Sequence, residues 1–202
     1  MSDPVVGVLL AAGTSTRFGA DKLLQPLADA SPVAVASARA LRRVLPRVVA
    51  VLRPGAVPLA GLLEAAGCVV VVCPEAAWGL GRSLACGVRA TGEAAGWVVG
   101  LGDMPFVRTE TVAAVARALA EGAPLARPFY RGLPGHPVGL ARRFAGELLT
   151  LEGDAGARSI LAAHGGLLVR LDCDDPGSVR DVDRPDDLDA GAWRPLRSSR
   201  GT

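Results

Sequence analysis

Two cationic side chains, Arg17 and Lys22, lie in the stretch Leu10-Ala11-Ala12-Gly13-Thr14-Ser15-Thr16-Arg17-Phe18-Gly19-Ala20-Asp21-Lys22, which directly follows a short apolar run. A glycine at position 13 lets backbone approach a ligand with no Cβ in the way, and successive N–H groups there can form an anion nest. Arg17 supplies a planar fork of donors suited to phosphate oxygens, and Lys22 a mobile point charge. This combination fits a triphosphate better than a neutral ligand. It is not a P-loop, which needs Gly-Lys-Ser/Thr, because Gly19 is followed by Ala20 and Asp21. It also lacks the Gly-x-Gly-x-x-Gly spacing of a dinucleotide fingerprint.

Further candidates lie downstream. Asp103, in Gly102-Asp103-Met104-Pro105, ends an apolar strand, a suitable place for a carboxylate that holds Mg²⁺ through oxygen. Asp181 and Asp183 are a natural second carboxylate source, although acidic residues ahead of a short helix also suit its N-terminus electrostatically. In Trp78-Gly79-Leu80-Gly81-Arg82-Ser83-Leu84, Gly81 can admit a base or ribose close to the backbone. Ser83 there can hydrogen-bond a base edge or cap a helix.

The elements that must carry these residues follow from periodicity and breakers. Strands are expected at Val5–Ala11, Val48–Leu52, Val69–Cys73, Trp97–Leu101, Leu125–Phe129, Pro137–Leu140 and Leu167–Asp172. Helices are expected near 32–44, opened by Ser31 as N-cap and Pro32, then near 57–66, closed by Gly67. Others are expected near 82–90, from Thr109 as N-cap, near 142–150, near 155–164, and as a turn at 185–188. Strand and helix alternate through the first two-thirds of the chain. The expected fold is therefore α/β: one domain with a mostly parallel, Rossmann-like sheet and helices on both faces. Ligands in such sheets bind beyond the carboxyl ends of the strands. The loops after the first, third and fourth strands hold the unusual residues.

The spacing LAAGxSxRxGxxK, with Gly13, Ser15, Arg17, Gly19 and Lys22 in place, resembles the molybdenum cofactor guanylyl- and cytidylyltransferases, especially the cytidylyltransferase-like branch (MobA/MocA-like). The resemblance runs from Val6 to about Leu188 and implies a nucleotide-diphospho-sugar transferase-like fold. It implies that Leu10, Ala11, Ala12, Gly13, Thr14, Ser15, Arg17 and Lys22, with Pro74, Gly81, Ser83 and Leu84, bind the nucleotide. Arg17, Lys22 and Asp103 would act in catalysis. Asp103, with Asp183 as the better match by position, would hold Mg²⁺. Gly135-His136-Pro137 and Gly153-Asp154-Ala155-Gly156-Ala157-Arg158 resemble stretches near the acceptor, so His136, Asp154 and Arg158 are acceptor candidates. The implied reaction joins a nucleotide, CMP from CTP ahead of GMP from GTP, to a phosphorylated pterin-type acceptor, molybdopterin. A molybdoenzyme or its maturation factor would be the partner. Two readings of other classes compete: an oxidoreductase using NAD(P)H or flavin, and a nucleotide-binding partner without turnover. The missing dinucleotide fingerprint counts against the first, and the intact Lys22 and Asp103 count against the second.

Composition narrows the field. The 202 residues suit one domain. With 22 basic and 20 acidic residues the net charge is +2, which gives no basic surface for nucleic acid and no membrane patch. No apolar run is long enough to span a bilayer, and the N-terminus lacks the basic region of a signal peptide. A cytoplasmic enzyme is expected, with residues 1–192 forming the transferase domain and 193–202 a disordered basic tail. Cys68, Cys73, Cys86 and Cys173 show no CxxC spacing and are expected to be reduced, structural thiols.

Overall fold

In the computed structural model, residues 4–13 and 21–189 are described. Thr14, Ser15 and Arg17, together with the tail, lie outside those residues. Val-rich segments form the strands β1 (Val5–Leu10), β2 (Val48–Leu52), β3 (Val69–Val72) and β4 (Gly96–Leu101), followed by β5 (Leu125–Tyr130), β6 (Leu133–Pro134), β7 (Val138–Ala141) and β8 (Leu168–Asp172). Helices α1 (Val33–Arg42), α2 (Val57–Ala65), α3 (Leu80–Arg89), α4 (Thr109–Ala120), α5 (Ala145–Leu149) and α6 (Arg158–Ala163) connect them.

The sheet order is β3-β2-β1-β4-β7-β5-β6, with β8 beside β5. β1 pairs in parallel with β2 and β4, and β2 with β3. The second half is mixed: β8 is parallel to β5, whereas β7 runs antiparallel to β4 and β5, and β6 returns on β5 as a hairpin. After β3 the chain crosses over β1 to lay down β4 on its far side. That reversal opens the crevice outside the carboxyl ends of β1 and β4 where α/β sheets take their ligands.

Strand alternation splits the core into two layers. Leu9, Val48, Ala50, Leu52 and Val98 pack under α1, α2 and α4. Val6, Val8, Leu10, Val49, Val51, Trp97 and Val99 pack under α3, α5 and α6. Helices thus cover both faces. Fully buried Leu or Val side chains contribute about 1.5–3 kcal/mol each relative to exposure. Trp97 is fully buried without a polar penalty, because its Nε1–H donates to Thr91 Oγ1 at 2.8 Å.

Several local expectations are corrected. Pro32, not Ser31, occupies the N-cap of α1. The Val33 N–H is satisfied by the Gln25 carbonyl, while the Ser31 hydroxyl is held by Asp29 and Arg39. Thr109 does not cap α4 either. Asp175, distant in sequence, accepts the Arg108 N–H and the Thr111 hydroxyl there, so a tertiary carboxylate replaces the local cap. α3 begins at Leu80, two residues earlier than expected, which puts Ser83 inside the helix and rules it out as the cap. Finally, Cys73 and Cys86 are not reduced thiols but a disulfide joining the end of β3 to α3, with 6.0 Å between Cα atoms. Cys68 and Cys173 are free.

Candidate active site

The site begins where β1 ends. Leu10, Ala11, Ala12 and Gly13 line one side of a cavity of about 380 Å³, within the range of small-ligand sites. Arg53 fixes this edge. Its guanidinium donates to the Gly13 carbonyl at 3.0 Å and to the Asp21 carboxylate at 3.2 Å. One side chain therefore ties together both described ends of the loop that carries Arg17. Sequence reading did not single out Arg53. Its only signal was a charged residue directly after a buried parallel strand.

Lys22 follows on a short 3₁₀ turn capped by the Asp21 side chain. Its Nζ lies 2.8 Å from Asp103 Oδ2 and 2.9 Å from Asp183 Oδ1, with only 14% of the side chain exposed. Burial alone would lower the ammonium's pKa. Asp103 and Asp183 more than offset it, and the net shift is upward.

Asp103 is held rigidly at the end of β4. Gly102 N–H donates to the Leu10 carbonyl, Ser37 Oγ donates to the Gly102 carbonyl, and Met104 is buried. A Cβ on Gly102 would come within 3.0 Å of the Ala11 Cβ, so a side chain there would force the two strand ends slightly apart. Asp103 also supplies its carbonyl to the Val182 N–H at 2.8 Å. Val182 is fully buried, and the extended chain around it turns both Asp181 and Asp183 to the opposite side. Oxygens of Asp103, Asp181 and Asp183 consequently lie within 4.8 Å of one another. Asp181 titrates above the usual carboxylate range because of desolvation and then the negative charge of Asp183. Three converging oxygen donors form a set that suits a hard divalent cation.

The opposite wall comes from the segment after β3. Ala76, Ala77, Gly79, Leu80 and Ser83 line the cavity, with Asp154 closing it from the other side. Ser83 is buried there, as a base-contacting residue would be. Three expected contributors fall elsewhere. Gly81 does not face the cavity: its N–H donates to the Gly153 carbonyl at 2.8 Å, and a Cβ would come within 2.8 Å of the Glu152 carbonyl oxygen. The absent side chain admits the 152–153 backbone, not a ligand. Pro74 starts a 3₁₀ turn outside the lining, and Leu84 is buried in the core beneath it. Gly79, at φ 112°, takes the lining position instead.

Of the acceptor candidates, Asp154 borders this cavity and a smaller neighbouring one; Arg158 and His136 border the neighbour, and His136 also lines a separate small pocket with Met104 and Pro137. His136 precedes a cis proline, Pro137. Burial, reinforced by the Arg127 charge, pushes the His136 pKa down to about 4. His136 is therefore a neutral imidazole near neutral pH. Among the described residues no helix is long and apolar enough to cross a membrane.

Comparison with known proteins agrees with this architecture. Purine catabolism protein PucB of Bacillus subtilis (strain 168) is 28% identical over 195 residues, covering 92% of this chain and 94% of PucB. Rv0371c from Mycobacterium tuberculosis H37Rv superposes with a TM-score of 0.79 at 28% identity, over 93% of this chain and 96% of that one. A structure of Rv0371c complexed with manganese gives a TM-score of 0.70 at 28% identity, over 92% and 93% of the two chains. A nucleotidyl transferase from Methanothermobacter thermautotroptrophicus shares the fold, with a TM-score of 0.76 at 22% identity over 91% and 94%. The profile of the MobA-like NTP transferase domain matches residues 7–167. The chain therefore belongs to the MobA-like NTP transferase domain family and is a nucleotidyltransferase by class.

Proposed function

We propose that this enzyme transfers a nucleotidyl group, CMP from CTP ahead of GMP from GTP, to a phosphorylated pterin-type acceptor such as molybdopterin, and releases pyrophosphate. The observation that carries this reading is the Lys22 ammonium set between Asp103 and Asp183 at the rim of the cavity lined by residues 10–13.

The residues fit a divalent cation, with Mg²⁺ the expected ion. Asp103 and Asp183 would hold it, with Asp181 within reach. When bound, the ion would neutralise phosphate charge. That Rv0371c forms a complex with manganese supports a divalent metal requirement for this chain. Lys22 now stands between the carboxylates as their counter-charge. From that position at the cavity rim its ammonium would offset charge on the α-phosphoryl group as it transfers. An acceptor phosphate oxygen forms the new bond to the α-phosphorus, the bond to the bridging α–β oxygen breaks, and pyrophosphate leaves with the electron pair. Little covalent help is needed, so positioning and charge stabilisation dominate. Backbone N–H groups around Gly13, with Arg17, would hold the β- and γ-phosphates. Ser83 Oγ offers a donor and an acceptor to the base.

The test is pyrophosphate release from each NTP in the presence of Mg²⁺ and molybdopterin. Release with CTP above the other nucleotides is expected. No release with any NTP, together with NAD(P)H oxidation, would overturn the reading.

A further inference from the structure

Among the described residues, two groups of three side chains bring donor atoms close enough to share one ion. Asp103, Asp181 and Asp183 offer oxygen alone. Cys73, Glu75 and Cys86 offer two sulfurs and a carboxylate, all within 4.8 Å of one another. Hard cations suit the first set, whereas thiolates select softer ones such as Zn²⁺.

Three elements bring the second set together. Cys73 directly follows β3 and caps the 3₁₀ turn Pro74–Trp78, which carries Glu75, and Cys86 lies on α3. Both cysteines are buried in an apolar cluster with Val51 and Leu84, while Glu75 is half-buried at its edge.

The sulfurs are joined as a disulfide, yet the polar groups that face them are arranged for thiols. The Arg82 carbonyl oxygen lies 3.6 Å from Cys73 Sγ, and Glu75 Oε2 lies 3.9 Å from Cys86 Sγ. Both oxygens are acceptors, and a disulfide has no proton to give either of them. Glu75 pairs with no cation within 4.0 Å among the described residues, since the nearby Arg82 guanidinium is taken by Glu152. The carboxylate thus faces the sulfur pair with neither a donor nor a counter-charge from the protein.

We infer that Cys73, Glu75 and Cys86 form a zinc site that becomes available when the disulfide is reduced, with water as fourth ligand on the half-exposed Glu75 side. A dithiol reductant passes two electrons and two protons to the disulfide. The S–S bond breaks, two thiols form, and the reductant closes to its own disulfide. Zn²⁺ then displaces both thiol protons to solvent and takes two thiolates and the carboxylate. Zn–S bonds of about 2.3 Å set the sulfurs about 3.8 Å apart in a tetrahedral site. Side-chain rotation can supply that spacing across the 6.0 Å between the Cα atoms. The ion would replace the disulfide as the tie between the end of β3 and α3. It would brace the nucleotide wall formed by Ala76, Ala77, Gly79, Leu80 and Ser83 again in the reduced protein. The site stands whether or not the chain transfers nucleotides.

The experiment reduces the full chain with a phosphine, removes the reductant without oxygen, and counts thiols. The protein is then titrated with Co²⁺ as a spectroscopic stand-in, and with Zn²⁺ against a chromophoric chelator. All four cysteines should react as thiols. A sulfur-to-cobalt charge-transfer band should saturate at about one Co²⁺ per chain and be displaced by Zn²⁺. The oxidised protein should give no such band, and the aspartate cluster cannot produce one because it holds no sulfur. Cys73→Ser and Cys86→Ser should each lower Zn²⁺ affinity by about 100-fold or more, and Glu75→Gln by about tenfold with the band retained. Glu75 lies outside the core, so Glu75→Gln keeps the test valid if a cysteine variant fails to fold. Four outcomes each overturn the proposal: a disulfide that resists reduction, no charge-transfer band in the reduced wild type, a band at full strength in a folded cysteine variant, or unchanged Zn²⁺ affinity in Glu75→Gln.

Discussion

Lys22 Nζ and Asp103 Oδ2 lie 2.8 Å apart at the carboxyl end of the sheet, joined from two loops that flank neighbouring parallel strands. The pairing holds Lys22 over the cavity before any ligand arrives. A charge placed in advance stabilises a transition state without reorganisation at the moment of reaction. Lys22→Met and Asp103→Asn should each lower kcat by about 10²-fold or more, the scale for removing one such group. Both variants should stay folded by circular dichroism, since neither residue contributes to the apolar core. Near-normal turnover in both would place the chemistry elsewhere.

Asp181 and Asp183 are separated by the experiment rather than by position alone. Both flank the buried Val182, and both offer an oxygen near Asp103, but only Asp183 also reaches Lys22. Asp183→Asn is therefore expected to raise the Mg²⁺ concentration for half-maximal rate by tenfold or more, and Asp181→Asn by less. Mg²⁺ titrations of the rate decide it. The reverse order would assign Asp181 as the principal second ligand.

Arg53 bonds the Gly13 carbonyl and the Asp21 carboxylate, so removing it frees both ends of the loop between them. The energetic loss would fall on ordering that loop around a triphosphate. Arg53→Ala should raise KM for the nucleotide about tenfold, with a smaller change in kcat. Steady-state kinetics across nucleotide concentrations read out this split. A fall in kcat at unchanged KM would contradict the role.

The legible part of the site was the part written in contiguous residues. The end of β1, Lys22 and Asp103 could be placed because a strand followed by glycine and charge is a local pattern. Gly81 misled because the sequence records an absent side chain without recording what fills the space, and Glu152 and Gly153 fill it from far along the chain. The caps failed for the same reason, with Asp175 and Gln25 reaching α4 and α1 through tertiary contacts. The antiparallel half of the sheet was hidden because a short apolar run carries no direction.

The disulfide between Cys73 and Cys86 closes a short loop, with a separation of 13 residues, around Ala76, Ala77, Gly79, Leu80 and Ser83 of the nucleotide wall. Such a cross-link restricts the unfolded chain by about 3 kcal/mol in the loop-entropy view. Reduction, or the Cys73→Ala/Cys86→Ala pair, should lower unfolding free energy by about 1–3 kcal/mol and raise KM for the nucleotide severalfold. Urea unfolding and kinetics with and without dithiothreitol check both effects. The double-alanine variant should be insensitive to the reductant, and a response equal to that of wild type would assign the effect to another thiol.

His136 makes stability depend on pH with a definite sign. Its folded pKa of about 4 lies below the ordinary 6.5, chiefly through burial and then through the charge of Arg127, with the Val99 backbone bond opposing and Arg158 adding to the fall. Asp154 is the one carboxylate that also borders the smaller cavity lined by His136 and Arg158. The unfolded chain therefore binds the extra proton between pH 6.5 and 4. The stability of the neutral, buried form is fully present above pH 6.5 and is lost as pH falls through that window, by roughly 2–3 kcal/mol at pH 4.5. Other carboxylates titrate in the same range, so the measurement is a difference: urea unfolding of wild type and His136→Phe at pH 7.5 and 4.5 in phosphate-free buffer. Wild type should lose roughly 2–3 kcal/mol more than the variant between the two conditions. Equal losses would mean that His136 is as readily protonated in the folded chain as in the unfolded one. The imidazole would then be open to solvent rather than buried.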